Sequence, residues 1–221
     1  MVSRRQMGRW ALEHLRFRLH GSTDADTTEL VRQARELLGG VPERRLRRMV
    51  PDLLVGILPR IYPQMLAEVR SHQDAGRPTF IVSAAGDEIV KVIARVLDMD
   101  GGIGTRYEIG RDGAYTGEIS GGLTYGDGKV GPMLAFAAEH EIDLDASWAY
   151  SDSASDLPML RLVAHPVAVN PDAELAQIAK AEGWRTMRFE RLGRRLAVAG
   201  ALLATAAAGA AASWVGARNV A

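Results

Sequence analysis

The stretch Ser147-Trp148-Ala149-Tyr150-Ser151-Asp152-Ser153-Ala154-Ser155-Asp156-Leu157-Pro158-Met159-Leu160 decides the fold. Apolar and aromatic residues over 148–151 predict a short strand that stops in a polar loop. Pro158 suits the first turn of a following helix, where its missing N–H costs nothing. Asp152 and Asp156 therefore stand four residues apart where a strand ends and a helix begins. Open α/β sheets hold their ligands at that end of a strand. Hard carboxylate oxygens there suit Mg2+, which takes one or two carboxylates together with waters and phosphate oxygens. An ordinary acidic capping loop is the plain alternative for these residues taken alone.

The flanking sequence repeats the strand-then-helix pattern. Upstream, 79–83 is a β-rich apolar run with a polar end, and 87–97 is amphipathic with Ile89, Val92, Ile93 and Val96 on one face. Residues 105–109 and 114–119, separated by Gly110-Arg111-Asp112-Gly113, predict a hairpin. A helix follows over 129–140. Downstream, 167–169 predicts a strand, then a helix to Glu182, then a strand over 184–189. This alternation implies an α/β fold: a Rossmann-like, mainly parallel sheet sandwiched by helices.

The two ends differ from this middle. Residues 3–19 and a segment starting at Asp26 or Thr27 have helical spacing, Pro42 opens a third helix, and another runs over 63–74. Residues 196–217 carry no charge, with Arg188, Arg191, Arg194 and Arg195 before them and Arg218 after. About 20 apolar residues span a bilayer core. A membrane-spanning helix is the expectation there, with the arginines keeping the main domain on the cytoplasmic side. A buried or dimerising helix is the alternative.

Over the whole chain of 221 residues, 27 basic side chains balance 27 acidic ones, which favours no nucleic-acid partner. The absence of cysteine excludes disulfides, thiolate nucleophiles and cysteine-ligated zinc. Two further residues stand where strands or turns meet helix starts. Ser83, followed by Ala84, ends a strand, and its hydroxyl with the next N–H groups suits a phosphate oxygen. Lys129 follows the turn Tyr125-Gly126-Asp127-Gly128 and places an ammonium against a helix N-terminus, where the dipole favours a nearby anion. A helix cap and a solvated surface lysine are the plain alternatives.

Serine, lysine and paired aspartates in this order resemble the haloacid dehalogenase-like phosphohydrolases, in particular those similar to phosphoserine phosphatase. Phe80-Ile81-Val82-Ser83-Ala84-Ala85 is similar to the family's second motif and Gly128-Lys129-Val130 to its third. Tyr150 to Met159 is similar to the fourth, and His165 to Pro171 to the strand after it. The resemblance implies Mg2+-dependent phosphoryl transfer to an aspartate followed by hydrolysis, on a small phosphorylated metabolite. It implies that Ser83 and Ala84 bind the phosphoryl group and that Lys129 neutralises it. Asp152 would ligate Mg2+, and Asp156 would orient the metal's water shell or the lysine. Residues 1–60 would form a helical cap, 61–190 the α/β core and 195–217 the hydrophobic C-terminal helix.

One motif departs from the pattern. The family's first motif, a buried strand ending Asp-x-Asp that carries the nucleophile, is not matched. Asp24-Ala25-Asp26-Thr27-Thr28 fits the letters but follows Leu19-His20-Gly21-Ser22-Thr23, which is no buried strand. The expectation is a chain truncated upstream and inactive as written, with a central strand missing between those ending at Ser83 and Ser151. The alternative is a non-catalytic, membrane-tethered phosphate-binding domain.

Overall fold

The computed structural model describes Arg32 and residues 35–189. The sequence expectations for 3–19, for Asp24 and Asp26, and for 195–217 lie outside these residues. Residues 35–38 are helical and lead to α1, Glu43–Ile57. Then come α2 (Pro63–Asp74), β1 (Phe80–Gly86), α3 (Asp87–Val96), β2 (Gly101–Ile109) and β3 (Tyr115–Ser120). The remainder is α4 (Val130–Glu139), β4 (Trp148–Ser151), α5 (Leu157–Leu160), β5 (His165–Val169), α6 (Ala173–Ala181) and β6 (Arg185–Met187). Among the described residues no helix is long and apolar enough to cross a membrane.

The strands form two three-stranded sheets, ordered β1-β2-β3 and β4-β5-β6. In the first, β2 runs parallel to β1 and antiparallel to β3, so the hairpin turns back at the sheet edge. In the second, all neighbours are parallel. Strands β1 and β4 are both edge strands, and no ladder joins them among the described residues. What joins the two sheets is side-chain packing. Val82 of β1 lies against the buried cluster of Ala149, Met159, Leu160, Ala168, Leu175 and Ala179 that α5 and α6 make on the second sheet.

Strand β2 begins at Gly101, earlier than the β-branched pattern indicates. Its glycines are there because α3 crosses close above it. A Cβ on Gly102 would lie 2.5 Å from Val90 Cγ1, and one on Gly104 would lie 2.5 Å from Asp87 Cα. The helical N-terminal part is fastened to the hairpin. Gly40 and Tyr115 exchange backbone bonds with neighbours across residues 40–43, and Leu38, Val41 and Leu46 bury Tyr115.

Candidate active site

The loop after β4 is built from short side chains bonding to nearby backbone. Ser153 N–H donates to Ser151 Oγ (3.3 Å), Ser155 N–H to Ser153 Oγ (3.3 Å), and Asp156 N–H to the Ser153 carbonyl (3.1 Å). Asp172, at the start of α6, clamps the loop from outside. Its carboxylate accepts from Leu175 N–H (2.8 Å) as a helix cap and from Ala154 N–H (2.9 Å), and its own N–H donates to the Asp152 carbonyl (2.9 Å).

This loop turns Asp156 inward, where it meets Lys129. Lys129 Nζ lies 2.5 Å from Asp156 Oδ1, and Ser151 Oγ donates to Asp156 Oδ2 at 2.7 Å. Lys129 is 1% exposed, an unusual place for an ammonium. The tight turn Gly126–Lys129 delivers it there, and only glycine fits before it: a Cβ on Gly128 would stand 2.0 Å from the Leu123 carbonyl oxygen. Both oxygens of Asp156 are engaged, so its carboxylate holds the lysine. Asp152 is exposed at the end of β4.

Ser83 lies on β1, with its Oγ accepting from Ala85 N–H at 3.2 Å. Two threonines tie this end of β1 to the segment that leads to Lys129. Thr105 Oγ1 donates to the Ala84 carbonyl (2.9 Å) and accepts from Thr124 N–H (3.2 Å), while Thr124 Oγ1 donates to the Gly104 carbonyl (3.0 Å). Sequence reading missed Thr105, Thr124, Ser151 and Asp172. Only Asp172 carried a local signal, as an aspartate just before a helix. Thr105 and Thr124 are buried threonines whose partners lie far away in the chain, whereas Ser151 bonds within its own loop, to Asp156 and Ser153.

Among the described residues no three His, Cys, Asp or Glu side chains gather into a cage. The exposed carboxylate of Asp152 at the end of β4 is a hard oxygen donor, and Mg2+ takes one or two such carboxylates beside waters and phosphate oxygens.

On the opposite face of β4 a hydrogen-bonded chain reaches α2. Arg77 Nε donates to His72 Nδ1 (2.8 Å), which leaves the proton of the neutral ring on Nε2, 2.7 Å from Tyr150 Oη. Tyr150 donates to Glu68 Oε1 (3.0 Å), which also takes Arg185 Nη1 at 2.5 Å. The bond from Arg185 holds Glu68 below the usual carboxylate range. Burial, then the charge of Arg77, pushes His72 below the usual imidazole value.

Comparison with known proteins agrees with this architecture. The family model for haloacid dehalogenase-like hydrolases matches residues 4–161. The inhibition of morphological differentiation protein of Streptomyces azureus is 36% identical over 98% of this chain and 81% of its own length. Histidinol-phosphatase of Neisseria meningitidis serogroup C is 40% identical over 61% of this chain and 62% of its own. In fold, the chain is like a phosphoserine phosphatase solved as a phospho-aspartyl intermediate analogue. That likeness has a TM-score of 0.56 at 20% identity and covers 85% of this chain and 83% of that one. The chain thus spans between about three fifths and four fifths of the two named relatives. From the family model over most of its length, the chain belongs to the haloacid dehalogenase-like hydrolases, and its fold is like that of phosphoserine phosphatase.

Proposed function

We propose that this chain carries the phosphate- and Mg2+-binding machinery of a phosphomonoesterase acting through an aspartyl phosphate. The observation that carries the reading is the Lys129–Asp156 pair, with an ammonium 1% exposed at the C-terminal end of β4. Burying a charge pair seldom stabilises a fold more than apolar packing would. An ammonium kept there is instead suited to neutralising a phosphoryl group, a reaction that depends on positioning and charge compensation. In this reading Ser83 and the Ala84 backbone hold phosphoryl oxygens, Lys129 neutralises them, and Asp156 fixes Lys129. Asp152 is the protein's ligand to Mg2+, with Asp156 beside it. The bound ion would screen the phosphoryl oxygens and help orient the group. The name of the histidinol-phosphatase relative supports a small phosphorylated metabolite as substrate.

The 221-residue protein with Mg2+ is expected to bind inorganic phosphate, with Lys129→Ala weakening it at least about tenfold, as for loss of a charged hydrogen bond. Calorimetric titration measures this, and unchanged affinity in the variant overturns the site. No segment of the sequence is matched to the family's Asp-x-Asp nucleophile motif. Turnover of an aryl phosphate by this chain is therefore expected to be no faster than by its Lys129→Ala variant. That lack of a match favours a second reading, a phosphate-binding module without turnover. Phosphatase activity of the protein isolated from its source cells, lost on Asp152→Asn, decides for the enzyme. Phosphate binding without turnover in that material decides for the module.

A further inference from the structure

Asp172 is the N-cap of α6, with Oδ1 accepting from Leu175 N–H at 2.8 Å. Capping a helix takes one side-chain oxygen, which serine or asparagine would supply as well as aspartate. The second oxygen is used elsewhere. Asp172 Oδ2 accepts from Ala154 N–H at 2.9 Å, 18 positions away in the loop after β4. The backbone N–H of Asp172 donates to the carbonyl of Asp152, also at 2.9 Å. One residue therefore holds this loop on both sides of Ser153, which is 8% exposed.

The sequence around Asp172 makes it a stiff support. β5 ends at Val169, and Asn170 then takes a left-handed φ of 43°, which asparagine adopts more readily than most residues. Its N–H donates to the Met187 carbonyl of β6 at 2.8 Å. Pro171 follows, buried and with φ fixed by its ring. Beyond Asp172, Leu175 and Ala179 are both 0% exposed and pack α6 into one cluster with Met159 and Leu160 of α5. Asp172 is thus anchored to the second sheet by backbone before it and by side chains after it.

Asp152 stands where such a support matters. It is exposed directly after the four-residue strand β4, and the residues after it are Ser153-Ala154-Ser155. The hydroxyls of that run bond to each other, 3.0 Å apart between Ser153 and Ser155. Mg2+ demands near-ideal octahedral geometry, so slack in a loop that supplies one of its ligands lowers affinity. We propose that Asp172 is a positioning residue for Asp152. By clamping the Ala154 N–H and the Asp152 carbonyl, it fixes the carboxylate that takes Mg2+, while the phosphate contacts of Ser83 and Lys129 do not depend on it. The inference rests on the reading of Asp152 as the Mg2+ ligand given above.

The test titrates Mg2+ into the 221-residue protein with inorganic phosphate present, and separately titrates phosphate with the metal chelated, both by calorimetry. Asp172→Asn keeps one oxygen for Leu175 but sets an amide NH2 against the Ala154 N–H. Asp172→Ser keeps the cap and is too short to reach the loop. Each is expected to weaken Mg2+ at least about tenfold, the usual worth of a group that orients a metal ligand. Melting temperature and metal-free phosphate affinity should change far less. In an Asp152→Asn background, adding Asp172→Asn should weaken Mg2+ by no more than about twofold, because no carboxylate is left to position. Three results would overturn the proposal and leave Asp152 as the ligand. These are Mg2+ affinity unmoved in both variants, Mg2+ affinity lost in step with phosphate affinity and melting temperature, or additive losses in the double variant. An unmodified protein that takes up no Mg2+, or whose uptake is indifferent to Asp152→Asn, overturns the metal reading and this inference with it.

Discussion

At the scale of single residues the site rests on one ammonium and the carboxylate that faces it. Asp156→Ala would leave Lys129 charged and buried without that partner, which costs about 3–5 kcal/mol. Urea denaturation is expected to show that loss, with Lys129→Met joined to Asp156→Leu recovering most of it. Recovery separates the chemical role from the structural one, because the double variant folds without a phosphate-binding charge. Much of this was legible in the chain. Lys129, Asp152 and Asp156 each stand at a strand end or helix start, as local pattern places them, whereas β1 runs on past Ser83 to Gly86 and leaves Ser83 in mid-strand, not at the strand end expected from its polar side chain. The buried hydroxyls were not legible. Thr105 bonds to Ala84 and Thr124 across 21 and 19 residues, and a threonine in a strand looks the same with or without such partners.

At the scale of elements, α2 and β4 are joined by the chain Arg77, His72, Tyr150, Glu68 and Arg185. Its direction depends on His72 being neutral, since Arg77 donates to Nδ1. A histidine whose folded pKa lies below its unfolded value of 6.5 takes up its proton more readily when unfolded. Stability from this group is complete above pH 6.5 and falls as pH drops through the lowered folded value. Glu68, also lowered, adds its own loss in a separate window, beginning below its ordinary 4.5. Melting temperature followed between pH 7 and pH 5.5 should fall, and His72→Gln should flatten that slope while leaving the loss at lower pH. Nothing in the sequence of α2 marks this network. His72 and Tyr150 are 78 positions apart and meet only once the helix lies on the strand. Element boundaries were better served: α2 and β4 are where proline placement and apolar runs put them. β2 was shortened in the reading because Gly101, Gly102 and Gly104 lower strand propensity, although the close crossing of α3 requires the last two.

At the scale of the described molecule, the alternating pattern was enough to give the α/β class, since strand and helix periods differ. Which strands pair within each sheet was not readable, because apolar runs do not say which neighbour they pair with, although the family resemblance did imply a gap between the strands of Ser83 and Ser151. The division has a thermal consequence. Backbone ladders tie strands into a unit that melts together, whereas among the described residues no ladder joins β1 to β4, and Val82 of β1 packs on the core of the second sheet. Units so coupled open with different free energies. Scanning calorimetry should therefore give a van't Hoff enthalpy below the calorimetric one, the mark of a transition that is not all-or-none. The β4-β5-β6 half, with its dry interior of leucine, alanine and methionine, should be the later to melt.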